Sequence, residues 1–272
     1  MVAETALGFF RSGTEILVVR NPETSRWSVV SVPIDGPAES ATERLAPATG
    51  RPDAVTLLRS AEPIPSDDDA DRRVHPFLFE CDARDIAPDP ADAIHEWVQP
   101  PTFPDRDTEP GLWAAYLTVS SSTATVREDT DHGAVYVSLR ALEVLKDRAA
   151  AAAEGSDTYD SVAEIARRLR RVHPNMGVIG VRIDRVMASA DRTPGSVRDR
   201  AIAACLNAVD ADRAATERAA SLSGDRLLTL SRSGTVEAAL ESSISGPSSS
   251  RNHAARGRES RLPSDRRGPD ST

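Results

Sequence analysis

The sequence predicts an α+β fold in its first half and a helical bundle in its second. Short runs of β-branched and aromatic residues, separated by turn residues, fill residues 1–120. Apolar residues spaced three and four apart fill much of residues 134–220. Residues 246–272 hold almost no apolar side chains, so we expect a disordered tail there. The 272 residues therefore divide into two folded parts and a tail.

The first part is expected to begin with a hairpin, because apolar runs flank the turn residues 11–14. Further short apolar runs predict strands, and these lie at residues 27–32, 54–58, 76–81 and 94–98. A proline-rich loop then leads into a helix at residues 113–119. Short strands with few helices are typical of an α+β domain.

The second part is expected to contain four helices, each with one apolar face. Capping and turn residues mark their ends. The first helix is expected at residues 139–153 and ends at Gly155, and the second is capped by Asp157. The third starts at Pro174, and the fourth starts with Thr193 as its cap and Pro194 as its first residue. On the third helix Arg182 and Arg185 lie one turn apart. They are placed to reach an anion, and two solvated arginines are the alternative interpretation.

A short apolar strand, residues 227–230, leads into a hydroxyl-rich turn and then into a helix start. Backbone N–H groups at a helix N-terminus bind anions, and glycine lets the backbone approach a ligand closely. The pattern therefore predicts a phosphate site formed by Thr229, Ser231, Arg232, Ser233, Gly234 and Thr235. Ordinary helix capping by Ser233 or Thr235 accounts for the same hydroxyl groups without a ligand.

The turn at residues 229–236 resembles the strand–turn–helix that opens the second half of the initiation factor 2B α/β/δ family, which includes sugar-1-phosphate isomerases. The helices before it are similar to that family's N-terminal helical domain. Residues 134–245 would then hold this domain and the start of a truncated Rossmann-like α/β sheet. The resemblance implies a sugar phosphate or nucleotide as ligand, no cofactor, and a homo- or heterodimer.

The same resemblance bears on catalysis. Active isomerases of the family carry a cysteine in this turn, preceded by histidine. Here those two positions are Ser231 and Leu230. A serine hydroxyl without an activating base is a poorer acid or base than a low-pKa thiol. We therefore expect a regulatory or binding protein with no catalytic residue, and the alternative is an isomerase of a phosphorylated pentose.

Residues 36–50 resemble the conserved box of a Nudix domain. A working box needs several glutamates on one helix face, because carboxylates hold the Mg²⁺ that bridges a pyrophosphate. With the last glycine of the run aligned, two expected carboxylates are replaced by Pro47 and Ala48, and Pro47 also breaks the helix. Glu39 and Glu43 cannot replace the missing pair. Residues 1–120 are thus expected to form a degenerate Nudix-like domain, with a Nudix pyrophosphohydrolase or an unrelated α+β domain as alternatives.

Composition limits the function further. Acidic residues outnumber basic ones 42 to 33, and Lys146 is the only lysine. This balance suits a halophile, although a GC-rich genome alone would also deplete lysine. No basic patch with aromatic residues precedes the tail, so direct nucleic-acid binding is not expected. Cys81 and Cys205 lack metal-ligand spacing, and without a long apolar run or a signal pattern we expect a cytoplasmic protein that does not meet a membrane.

The tail has the opposite character to the rest of the chain. Residues 251–272 hold six arginines and three acidic residues. When residues 246–253 are back-translated with GC-favoured codons and shifted by one base, they read as an apolar strand ending in Glu-Ser-Arg. That motif follows the turn–helix in the initiation factor 2B family. We therefore expect the tail to be the product of a frameshift, and ordered structure to stop near Ser245.

Overall fold

A computed structural model describes residues 3–34, 38–66, 72–86, 88, 94–222 and 234–244. The chain falls into two units, one reaching to Ala215 and the other starting at Thr216. Strands and helices mix in the first unit, as expected for an α+β chain. No helix within the described ranges is long and apolar enough to cross a membrane.

Within the described residues the sheet of the first unit has eight strands. They are β1 Ala3–Ser12, β2 Glu15–Arg20, β3 Trp27–Ser28, β4 Val30–Pro33, β5 Val55–Ser60, β6 Ile64–Pro65, β7 Arg72–Cys81 and β8 His95–Val98. The central order is β3-β2-β1-β7-β5, while β4 pairs with β1, β6 with β7 and β8 with β2. Only the β1–β7 pair is parallel among the described strands, so the sheet is mixed.

The predicted hairpin is confirmed. Strands β1 and β2 pair with Ser12 opposite Glu15, and Gly13 takes a left-handed φ of 63° that suits the turn. The strand expected at residues 27–32 is instead two short strands. It divides because its first half pairs with β2 and its second half pairs with β1.

Neighbouring residues of β1 point to opposite faces of the sheet, as the strand period requires. Phe9 packs in one apolar cluster with the helix α2, Leu112–Val119. Phe10 packs in the other cluster, which includes Leu45 of the short helix α1, Thr42–Leu45. The sheet is therefore covered by helical segments on both faces.

The segment that resembles a Nudix box is a chain of short helical turns. A 3₁₀ turn at Ala38–Ala41 precedes α1, and a second one at Pro47–Thr49 follows it. Gly50 closes the segment with a left-handed φ of 73°. The break predicted at Pro47 is confirmed, since α1 ends two residues before the proline.

The remaining helices are α3 Thr123–Glu128, α4 Ala134–Glu154, α5 Tyr159–Leu169, α6 Gly177–Ser189, α7 Pro194–Leu222 and α8 Gly234–Ile244. Helices α4 to α7 share one apolar core, which includes Leu142, Leu145, Val162, Ile183 and Cys205. Helix α8 lies in the second unit. The start of α7 agrees with its predicted cap, because the Ser196 N–H donates to Thr193 Oγ1 at 3.2 Å.

Two predicted helix starts are corrected. The cap of α5 is Thr158 and not Asp157, since the Thr158 carbonyl accepts the first helical hydrogen bonds. Pro174 does not begin α6. A turn closed by the Met176 N–H on the His173 carbonyl at 2.9 Å contains the proline, and the helix begins at Gly177.

Candidate functional site

The predicted phosphate site lies mostly outside the described residues. Thr229, Ser231, Arg232 and Ser233 are not described, so that prediction stays untested together with the strand before it and the tail after it. Gly234 and Thr235 form the first turn of α8. A helix does follow the turn, as expected, but the ligand-binding arrangement remains a prediction.

A cleft of about 450 Å³ lies beside Ala48, where the box would place one of its carboxylates. Val19, Val30, Val32 and Ala48 form its apolar floor and also belong to the core cluster around Phe10. Its polar lining residues are Arg20, Asn21, Glu23, Ser28 and Ser31. The cleft therefore offers an apolar surface with one cation, one carboxylate and two hydroxyl groups at its edge.

The loop between β2 and β3 forms one rim of the cleft and is held by internal hydrogen bonds. Asn21 Oδ1 accepts from the Glu23 N–H at 2.9 Å, and the Ser25 N–H donates to the Asn21 carbonyl at 2.8 Å. Asn21 Nδ2 also donates to Glu109 Oε1 at 3.1 Å, and Thr24 Oγ1 donates to the same oxygen. These contacts fix the rim without a ligand, so the cleft is largely preformed.

The residues of the box segment do not fit the Mg²⁺ site of a working Nudix domain. Pro47 and Ala48 have no carboxylates, and Glu43 is exposed and does not line the cleft. Within the described ranges no group of three or more His, Cys, Asp or Glu side chains is placed to hold a metal ion. Bridging a pyrophosphate with Mg²⁺ needs such oxygen ligands. No catalytic step through a metal is therefore derived for this cleft.

A second polar region lies between α4 and the end of the sheet, and we call it the α4 charge cluster. It contains Arg11, Arg140, Glu143, Lys146 and Asp147, each at most 5% exposed. Charged residues are rarely buried unless they are paired, so each needs a partner. Other buried residues of α4, among them Leu142 and Leu145, belong to the apolar core that α4 shares with α5 to α7.

Glu143 holds two arginines within the α4 charge cluster. Its Oε2 lies 3.0 Å from Arg140 Nη1 and 3.4 Å from Arg11 Nη1. Arg11 also donates through Nε to Glu80 Oε2 of β7 at 2.9 Å, and Arg140 Nη2 donates to the Gly13 carbonyl at 2.6 Å. Burial acts to lower the pKa of Arg11, but Glu143 and Glu80 outweigh it and raise that pKa.

Lys146 has no exposed surface and binds two neutral oxygens. Its Nζ donates to Gln99 Oε1 at 2.7 Å and to the Thr14 carbonyl at 3.0 Å. Gln99 Nε2 in turn donates to Thr14 Oγ1 at 2.9 Å. These bonds join α4 to the β1–β2 turn and to the residue after β8. The only lysine of the chain is therefore an internal connection between helix and sheet.

Asp147 is only partly satisfied within the α4 charge cluster, as is Arg140, whose buried Nε has no hydrogen-bond partner. Tyr116 Oη of α2 donates to its Oδ2 at 3.0 Å, while its buried Oδ1 has no hydrogen-bond partner. Burial raises the pKa of Asp147 to about 6, and the neighbouring Lys146 charge opposes that shift only in part. Burial raises the pKa of the Tyr116 hydroxyl as well, with the Asp147 charge adding to the effect.

The two cysteines are inert in this arrangement. Burial raises the pKa of both the Cys81 and the Cys205 thiols to about 12. A thiol with a raised pKa holds little thiolate at neutral pH and is a poor nucleophile. Both behave as the apolar core residues that the sequence predicts.

Sequence reasoning missed the α4 charge cluster. Helix α4 was expected from its apolar face, and its charged residues were left unassigned. Two signals were present: the spacing of Arg140, Glu143 and Lys146, which places them on one side of a helix, and the single lysine in an arginine-rich chain. The partners of Lys146 are Thr14 and Gln99, which are too distant in sequence for any local pattern to reveal them.

No family model and no curated protein matches the chain. Solved structures that are similar to part of it include Nudix hydrolases. A Nudix-family hydrolase from Clostridium perfringens is 13% identical, with a TM-score of 0.34, covering 42% of this chain and 93% of that one. The Nudix hydrolase RenU of M. smegmatis is 18% identical, with a TM-score of 0.35, covering 45% of this chain and 86% of that one. The C. elegans Ap4A hydrolase is 11% identical, with a TM-score of 0.36, covering 44% of this chain and 97% of that one.

Identities and TM-scores at this level carry no argument by themselves. The strand pairing of the sheet and the turns of residues 38–50 are instead the features that characterise this part of the chain. The resemblance of residues 134–245 to the initiation factor 2B family has no support from these comparisons and stays a prediction.

Proposed function

We propose that the sheet part of this protein is a degenerate Nudix-like module that binds a nucleotide and does not hydrolyse it. The observation that carries the proposal is the cleft beside Ala48, which is preformed and apolar where a working box would present carboxylates. Its valine floor suits the flat face of a base. Arg20 and the hydroxyl groups of Ser28 and Ser31 suit a phosphate at the rim. The protein then acts as a binding or regulatory component.

A sugar phosphate is the other ligand of this proposal, and the two ligands differ in one respect. Only a nucleotide has a base that would cover the floor formed by Val30 and Val32. Binding of ADP and of ribose 5-phosphate, each measured by calorimetry without Mg²⁺, separates them. We expect ADP to bind at least about tenfold more tightly, since burying apolar surface adds more than 1.4 kcal/mol.

Two variants test the location of the site. Ala48→Phe fills the cleft and should abolish ADP binding, and Arg20→Gln should weaken it by about tenfold because one charge-assisted hydrogen bond is lost. Arg26→Gln is the matched control: Arg26 lies in the same loop but pairs with Asp107 at 3.3 Å and does not line the cleft. Equal binding by the Ala48→Phe variant and the parent protein would disprove the proposal.

Hydrolysis is the competing function, because residues 36–50 resemble the box of a Nudix pyrophosphohydrolase. Mg²⁺-dependent release of phosphate from ADP-ribose or Ap4A, abolished in the Glu43→Gln variant, would establish it. We expect no such turnover, and we expect Glu43→Gln to leave ADP binding unchanged. Isomerase activity on a phosphorylated pentose would depend on Ser231, and direct assay of pentose 1-phosphate isomerisation tests that alternative.

A further inference from the structure

A groove of about 290 Å³ lies between α6 and α7, away from the cleft beside Ala48. Helix α6 lines it with one face, at Arg182, Arg185, Val186 and Ser189. Helix α7 lines it with residues of the same spacing, namely Arg200, Ala203, Ala204, Asn207, Ala208 and Ala211. Because alanines occupy most of the α7 side, the two helices leave open space between them where larger side chains would fill it.

The charge of this groove is opposite to that of the chain. Among the described residues three arginines line it and no aspartate or glutamate does, in a protein with a formal net charge of −9. Two nearby arginines are paired with carboxylates: Arg170, just after α5, lies 3.0 Å from Asp184 of α6, and Arg198 of α7 lies 2.9 Å from Asp199. Within the described part of the chain, Arg185 and Arg200 make no ion pair.

Arg182 is the half-buried member of the three. Its Nη1 donates to Ser138 Oγ of α4 at 2.9 Å, which orients the guanidinium at the groove. Burial lowers its pKa, while Cys205 and Asp212 act in the opposite direction. An anion in the groove would recover part of the solvation that Arg182 has lost.

We infer that this groove binds a compact anion with two linked phosphate groups, of the pyrophosphate class. Guanidinium groups pair with phosphate oxygens through two parallel hydrogen bonds, so three arginines match a ligand with two phosphate groups. A volume of about 290 Å³ lies at the small end of ligand sites, which excludes a dinucleotide or a peptide. The groove shares no lining residue with the proposed nucleotide cleft.

Calorimetric titration of the full chain with inorganic pyrophosphate at fixed ionic strength tests the inference. Pyrophosphate should bind more tightly than orthophosphate or citrate. The double variant Arg185→Gln/Arg200→Gln should bind it at least about tenfold more weakly, because both guanidinium groups are lost while the exposed positions leave the core unchanged. Unfolding curves of the variant confirm that it folds.

Arg171→Gln is the matched control, since Arg171 is exposed, makes no ion pair in the described structure and lies outside the groove. It removes a positive charge from the adjoining helical region and should change the affinity less than about twofold. The inference fails if pyrophosphate does not bind, if citrate binds as tightly, or if Arg171→Gln weakens binding as much as the double variant. It also fails if Arg20→Gln of the cleft abolishes pyrophosphate binding while the double variant does not.

Discussion

The cleft beside Ala48 and the α4 charge cluster use polar residues in opposite ways. The cleft is accessible and has an apolar floor, and the charged residues that line it in the described part of the chain, Arg20 and Glu23, lie at the rim. The α4 charge cluster holds five charged residues that are each at most 5% exposed. Chemistry at the surface needs charges that can meet a ligand, whereas buried charges mainly select one arrangement of helix and sheet.

The segment at residues 36–50 shows a role in packing. Pro47, Ala48 and Gly50 form the turn that follows α1, and Leu45 belongs to the core cluster on one face of the sheet. The segment has a packing role that does not depend on metal ligands. Helix α4 is held to the sheet by the hydrogen bonds that Lys146 and Arg140 donate to the β1–β2 turn.

The largest expected effect comes from breaking the α4 charge cluster. The Glu143→Ala variant leaves Arg11 and Arg140 buried with one carboxylate fewer, and its free energy of unfolding should fall by about 3–5 kcal/mol. Urea unfolding at pH 7 measures the change. The control is Glu164→Ala, which removes the exposed pairs with Arg167 and Arg168 and should cost less than about 1 kcal/mol. Similar losses in the two variants would show that burial of the pair has no special effect.

The second effect is a pH dependence that has the opposite sign from an ordinary ion pair. Asp147 has a pKa of about 6 in the folded protein, above the value of 3.8 taken for the free group. Between these pH values the folded state binds the proton more tightly, so the free energy of unfolding falls as pH rises, by up to about 3 kcal/mol. The stability that Asp147 contributes is complete below about pH 4 and is lost by the time the pH exceeds about 6.

The Asp147→Asn variant tests this dependence. It should remove the slope between pH 4 and pH 6 that Asp147 adds, and it should be more stable than the parent protein at pH 8, because a neutral amide replaces a buried carboxylate. The amide oxygen can still accept from the Tyr116 hydroxyl. Thermal or urea unfolding of both proteins across this pH range provides the difference curve. A variant less stable than the parent at pH 8 would contradict the assignment.

The smallest effect concerns the turn that ends the box segment. Gly50 has a φ of 73°, where a side chain is strained, so Gly50→Ala should lower the free energy of unfolding by about 1 kcal/mol. Gly180 inside α6 is the control. An added Cβ there would meet nothing within 4 Å and alanine favours a helix, so Gly180→Ala should not lower the free energy of unfolding. Equal costs would mean that the conformation at Gly50 is not what requires glycine.

Local patterns predicted much of this fold, and they did so where the physical cause is also local. Gly13 marks a hairpin turn and Pro47 breaks a helix because each acts on its own backbone. The α4 charge cluster had no such signal. Lys146 meets Thr14 and Gln99 across 132 and 47 positions of the chain, so the contacts exist only once sheet and helices pack. The cleft was not predicted: the absence of carboxylates at Pro47 and Ala48 is visible in the sequence, but the valine floor forms from separate strands.

The burial of Lys146 has a practical consequence for chemical labelling. Lys146 carries the only side-chain primary amine of the chain, and it has no exposed surface. An acylating reagent added to the native protein can therefore reach the side-chain amine only when α4 separates from the β1–β2 turn. The rate of that acylation, followed by mass spectrometry, would measure how often such openings occur. Acylation of Lys146 therefore reports local opening of the native structure at a single position, without an engineered label.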